Sequence, residues 1–299
     1  MQTNSAMTAP HVCSFAYKFT GKERDAESGL DNFGPRYFGS SMGRFMSPDP
    51  IYVATPRLSD PQQWNLYSYA RNNPLAITDS TGMDINLDCS GAGQMACENI
   101  LGQFNKRKGA QFTIGRNADT GHLTASGDGS NLSGREAELY HAITDGDYTS
   151  TLKVVSSDPS FIGDHFVPGG GYNVVDASDL NAFGKANDAI PGEILAHAGI
   201  EGFESLAQFG SLKGQDQFDA SHAFANKFFG DVTESNVTAL GSGLNASGAA
   251  ATYNFGKLGS SVDVYLRFQT PQPKASLPPL LGNMRGTIDH VSPTKPVVP

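Results

Sequence analysis

Residues 191–204 read PGEILAHAGIEGFE. Pro191 near the start and Gly210 past the last apolar residue bound a helix. Residues three or four apart share a helix face, so Glu193, His197, Glu201 and Glu204 form one polar stripe. Ile194, Leu195, Ile200, Phe203 and Leu206 make up the apolar remainder. A stripe of one histidine and three acids suits solvent. It also suits a metal ion, because His197 and Glu201 stand one helical turn apart. A third candidate ligand, His222, lies about 20 residues on, in the predicted helix DQFDASHAFANKFFGD.

Working outward, residues 95–109 (MACENILGQFNKRKG) have apolar residues at helical spacing and end in lysines and a glycine. Residues 110–127 read as a hairpin around NADTG. Residues 133–146 read as a helix, with Ser133 as N-cap and Glu136 completing a capping box. STLKVVSS and GGGYNVVDASDL read as strands, and residues 249–269 as a closing hairpin. The tail, residues 270–299, is proline-rich and expected to be disordered, as is a leader over residues 1–16.

A chain of 299 residues with 38% apolar residues and 34 glycines predicts two units, loop-rich, with modest cores. No apolar run is long enough to span a membrane, and no signal peptide is readable. The net charge of −9 is uneven. Residues 1–83 carry seven basic and seven acidic residues, whereas residues 84–299 carry 14 basic and 23 acidic. An acidic domain is a poor partner for phosphate backbones, so no nucleic-acid partner is expected and a nuclease is disfavoured. Cys89 and Cys97 could bridge in an oxidising compartment or remain free thiols. Gly169–171 is not a phosphate loop, and no GxSxG elbow is present.

Residues 17–83 form a train of short aromatic strands separated by turn signals, with too few apolar residues for a core of their own. GKERDAESGLDNFGPRYF (residues 21–38), GRFMSPDP (43–50), NLYSYARNNP (65–74) and DSTGM (79–83) occur in order. The segment resembles the RHS repeat-associated core of RHS/YD-repeat polymorphic toxins. In that family a β-shell of repeats encloses a C-terminal toxin, which aspartate-dependent self-cleavage releases after a DPxGL-like motif. The resemblance puts the aspartate pair at Asp49 and Asp79 and the cut at Met83–Asp84. Two carboxyls sharing a proton can activate water for that step. Ser80 and Met83 depart from the motif, and the stretch before NLYSY is longer than usual. The resemblance also implies an immunity protein, an upstream shell and release by secretion or a specialised delivery system.

Beyond residue 83 the family pattern ends and a variable effector domain is expected over residues 84–269. Its part from about 95 to 230 resembles zincin-type metallopeptidase toxins. That likeness implies a zincin-like α+β domain with zinc on His197, Glu201 and His222. GGGYNVVDASDL would be the edge strand that pairs with substrate. Such enzymes carry a general-base glutamate after the first histidine, where this chain has Ala198. Three readings stand: a natural inactive relative, an engineered knockout, or a base supplied by Glu193, Glu201 or Glu204. The expectation is weak or absent peptidase activity on an unknown protein target. The alternatives are a non-enzymatic interaction tip and an unrecognised nuclease. His122, His141 and His165 read as ordinary.

Overall fold

The computed structural model describes residues 22–33, 36–48, 65–69, 85–118, 120–127, 129–144, 148–168, 172–278, 280 and 284–294. The expected leader, Asp49, Asp79 and the Met83–Asp84 bond lie outside these residues.

Four short strands, β1 (Glu23–Arg24), β2 (Asp31–Asn32), β3 (Tyr37–Gly39) and β4 (Arg44–Phe45), form an antiparallel meander. Phe33, Phe38, Phe45 and Tyr69 are buried together, with ring centroids between 4.8 and 5.9 Å apart. The Arg36 guanidinium lies over the Phe45 ring at 3.8 Å. Buried Asp31 accepts a two-pronged ion pair from Arg24 at 2.8 and 2.9 Å. The segment was expected to need packing from elsewhere, yet these rings close a small cluster of their own. Edge-to-face pairing of aromatic rings lets few residues do this.

Next come β5 (Ile85–Asp88), α1 (Gln94–Phe104), the hairpin β6 (Ile114–Arg116) and β7 (Leu123–Ala125), and α2 (Gly134–Thr144). Strands β8 (Ser150–Val155), β9 (Asp164–Val167) and β10 (Tyr172–Asp176) follow, then α3 (Ala177–Ala186). The sheet order is β5-β8-β10-β9, parallel except for the antiparallel edge strand β9. The expected edge strand, β10, is therefore interior. Helix α3, which the sequence reading missed, starts where the Asp176 carboxylate accepts from the backbone N–H of Ser178 and Asp179. That is an aspartate N-cap.

Helix α4 (Ile190–Ala207) is central, packed against α1, α2, α3, α5 (Gly214–Phe229), β8, β9 and β10. Of the two settings its polar stripe suited, solvent is excluded for the acids: Glu193, Glu201 and Glu204 are all buried. Backbone can approach α4 because glycines face its neighbours. A Cβ on Gly192 would lie 2.7 Å from the Arg107 nitrogen and 2.8 Å from the Gln103 carbonyl of the α1 segment. Two of the buried acids around α4 are paired with arginines. Arg107 holds both oxygens of Glu136 at 3.0 and 2.8 Å, so the carboxylate read as a capping partner is taken by α1's end. Arg135 likewise holds Glu193 at 2.6 and 2.9 Å. A disulfide joins Cys89 to Cys97, with Cα atoms 5.8 Å apart, fastening β5 to α1.

The C-terminal part is a four-stranded antiparallel sheet: β11 (Val232–Leu240), β12 (Asn245–Phe255), β13 (Ser260–Pro273) and β14 (Thr287–Pro293). Alternate residues Ala249, Ala251, Tyr253, Phe255, Val262, Val264 and Leu266 join the main apolar cluster. The tail expected to be disordered from Thr270 thus supplies the end of β13 and all of β14. Pro273 ends β13 and Pro293 ends edge strand β14, where a missing N–H costs little.

The expectation of a zincin-like α+β domain is overturned. Among the described residues, fourteen strands in four sheets stand beside five α-helices, and the architecture is mixed and strand-rich. The C-terminal sheet, read as one hairpin and a tail, accounts for much of the difference.

Candidate metal centre

His197 and Glu201 stand one turn apart on α4, and α5 packs alongside and presents His222. One donor atom from each of the three lies within 4.8 Å of the other two. His222 Nδ1 is 3.0 Å from Glu201 Oε1. The other Glu201 oxygen accepts from Asn173 Nδ2, on β10, at 2.7 Å. His197 Nε2 is 3.0 Å from Asn226 Oδ1 on α5. The two imidazole rings meet edge to face at 5.0 Å, and Phe218 stacks on His222 at 5.1 Å. Asp231 lies 3.8 Å from His222 Nε2.

The fold fixes these positions closely. Gly202 faces Asn173, and a Cβ there would lie 2.8 Å from Asn173 Oδ1. The missing side chain lets β10 bring the amide to Glu201. Burial lowers the His197 pKa, with Glu201 opposing. The bond to Glu201 raises that of His222 against its own burial. Asp164, at the start of β9, is pushed up to about 7, first by burial and then by the charge of Glu201, with His222 opposing. These groups open on a cavity of about 280 Å³, which Asp164, His165, Phe166 and Asp231 also line.

The donor set fits a zinc ion. Two imidazoles and one carboxylate are a common three-ligand catalytic set, one that would leave a fourth position for water or substrate. Asn173 is the outer partner that would orient the carboxylate.

Ala198 stands apart from this cavity. It is fully buried in the main apolar cluster and is not a lining residue. Glu193 lines the cavity, but its oxygens are engaged by Arg135 and the Lys108 backbone N–H. Glu204 is buried on α4 beyond Glu201. Of the other histidines, His141 packs edge-on against Phe203 and His165 stacks on Phe161.

Part of the chain resembles known toxin components. A stretch of 71 residues, 23% of the chain, is 44% identical to toxin subunit YenC2 of Yersinia entomophaga. A stretch of 68 residues is 38% identical to toxin subunit YenC1 of the same organism. The chain spans about 6% of the length of each of these curated relatives. No family model matches the chain, and no solved structure matches it. No helix among the described residues is long and apolar enough to cross a membrane.

The sequence reading missed Asp164, Asn173, Asn226 and Asp231, and it treated His165 as ordinary. None has a spacing to His197 that a helix would impose. Asn226 alone carries a usable signal, one turn beyond His222 on the same helix.

Proposed function

We propose that this chain is the C-terminal part of an RHS-type toxin and that residues 85–294 are its effector domain. In that domain His197, Glu201 and His222 hold a zinc ion. The ordered motifs between residues 17 and 83 support the toxin assignment, and the stretch similar to the Yersinia toxin subunits has nearly the length of that segment. A secreted or delivered protein, an enclosing shell and an immunity partner follow from the same assignment. Self-cleavage by Asp49 and Asp79 belongs to it as well.

One observation carries the metal reading: three donors from two helices converge within 4.8 Å in a lined cavity. When bound, zinc lowers the pKa of its water and polarises a carbonyl. Ala198 provides no base for hydrolysis. The carboxyl that lines the cavity and holds a proton near neutrality is Asp164. Asp164 is thus the carboxyl placed to serve as base where Ala198 cannot.

The test is the metal content of purified protein after zinc loading and desalting. The wild type retains one zinc per chain, and His197→Ala and His222→Ala each lose it. Stoichiometric zinc in both variants would reject the reading. A second reading is favoured by the Glu201–His222 bond, which already satisfies both groups without an ion. In that case the domain is a non-enzymatic interaction tip, and none of the three proteins holds zinc.

A further inference from the structure

Helix α1 has weak ends of its own. Its N-cap is Gly93, at φ +86°, which has no side chain to accept from the first turn. That turn holds no acidic residue, and the last turn holds no basic one. The approach, residues 89–93, contains two glycines, and a Cβ on Gly91 would lie 2.9 Å from the Val154 carbonyl oxygen of β8. Apart from local backbone bonds, such as Gly93 N–H to the Cys89 carbonyl at 2.8 Å, this end is fastened by the bridge from Cys89 to Cys97, eight residues apart. Cys97 is fully buried and Cys89 nearly so, both inside the main apolar cluster. The far end of the same segment reaches α4, where the Lys108 backbone N–H donates to Glu193 Oε1 at 2.7 Å.

We infer that this domain is completed by oxidation: the Cys89–Cys97 bridge locks α1 in an oxidising compartment, and a thiol-reducing one leaves α1 loosely held. Forming the bridge joins the two sulfurs and gives up two electrons and two protons, which pass by thiol exchange to a disulfide-bearing oxidant. Breaking it is the reverse: two thiols of a reductant become one disulfide, and Cys89 and Cys97 regain their protons. Even a short closed loop removes freedom from the unlocked chain. Burial shields the finished bridge from attack, so the oxidised state persists once α1 has docked. A chain made in a reducing cytosol therefore carries α1 unfastened, and passage into oxidising surroundings fixes it. Any consequence for His197 and Glu201 on α4 rests on the metal reading. The state of α1 does not.

The test uses the full chain carrying Cys13→Ser, so that only this pair can react, kept metal-free with a chelator. Alkylation and intact mass should count no thiols after incubation with oxidised glutathione and two after treatment with a phosphine reductant. Reduction should lower the melting temperature by about 5–10 °C. It should also speed amide hydrogen exchange in residues 94–104 by about tenfold or more, with exchange in β12 and β13 unchanged. Cys89→Ala with Cys97→Ala should behave as the reduced protein and ignore the reductant. Two thiols persisting in oxidised glutathione overturn the inference, as do a melt and an α1 exchange rate that reduction leaves unchanged. An equal rise of exchange in β12 and β13 also overturns it, because the bridge would then stabilise the whole domain without acting on α1. Oxidised and reduced proteins share one sequence, so the comparison stands whether or not the double variant folds. Failure of the chain to bind zinc would reject the metal centre and leave this result untouched.

Discussion

Single residues decide how the centre is held. Gly202 is the sharpest case, because Asn173 reaches Glu201 only while position 202 has no side chain. Gly202→Ala should cost about 1–3 kcal/mol, as overpacking does. It should also weaken zinc affinity by about tenfold or more, as loss of an outer-shell partner does. Urea unfolding and a zinc competition titration read the two effects, and unchanged affinity would detach Asn173 from the site.

Asp179 tests the electrostatics away from the centre. It is buried, accepts from the Gly163 N–H at 3.1 Å, and is pushed up to about 7 by burial, with Asp176 and Asp158 adding to the rise. Its folded pKa lies above the unfolded value. The native state therefore binds the extra proton between about 4 and 7, and stability falls as pH rises through that window. Asp179→Asn should remove the penalty. The variant should gain stability at pH 8, by about 4 kcal/mol at most, and little at pH 4. An equal gain at both values would rule out ionisation as the cause. At this scale the sequence was half legible. Helical spacing pairs His197 with Glu201, but nothing local connects them to Asp164 or Asn173, which arrive from neighbouring strands.

Among the elements, α4 organises the domain. Periodicity shows that it is a helix but not that it is enclosed on nearly all sides. The polar stripe, which suited solvent or a metal, is buried, and two of its acids are held by named partners: Glu193 by Arg135, Glu201 by Asn173 and His222. The ends of α1 and α2 are joined by the fully buried Arg107–Glu136 pair. Arg107→Met should cost about 3–5 kcal/mol, because it strands a buried carboxylate. The double variant Arg107→Met, Glu136→Met should recover much of that loss, since apolar replacement of both partners leaves no charge unpaired. Denaturant melts of the single and double variants check this, and equal losses in both would mean that packing, not charge, sets the cost. The helices announced themselves through caps and spacing. The long C-terminal strands did not, since prolines and glycines at their ends gave the sequence the look of a tail.

For the whole molecule, two apolar clusters are separate: four rings between Phe33 and Tyr69, and the large cluster from Ile85 to Met284. A fragment of residues 85–294 should therefore fold alone, with one cooperative thermal transition and the zinc content of the full chain. Truncation at residue 231 removes β11 to β14 and the strand residues that complete that cluster, and it should not fold. Circular dichroism melts of both fragments check the pair of expectations. Charge and motif order in the sequence place a boundary near residue 83. The sequence left the fold class misread, because strand pairing across the C-terminal sheet is set by long-range contacts that no local pattern reports.

The central claim is that His197, Glu201 and His222 share one metal ion. Anomalous diffraction at the zinc edge, from crystals of the zinc-loaded full chain, tests it most directly. The account predicts a single strong peak about 2 Å from a donor atom of each of the three residues. An absent peak, with Glu201 still bonded to His222 in the same crystals, would contradict it.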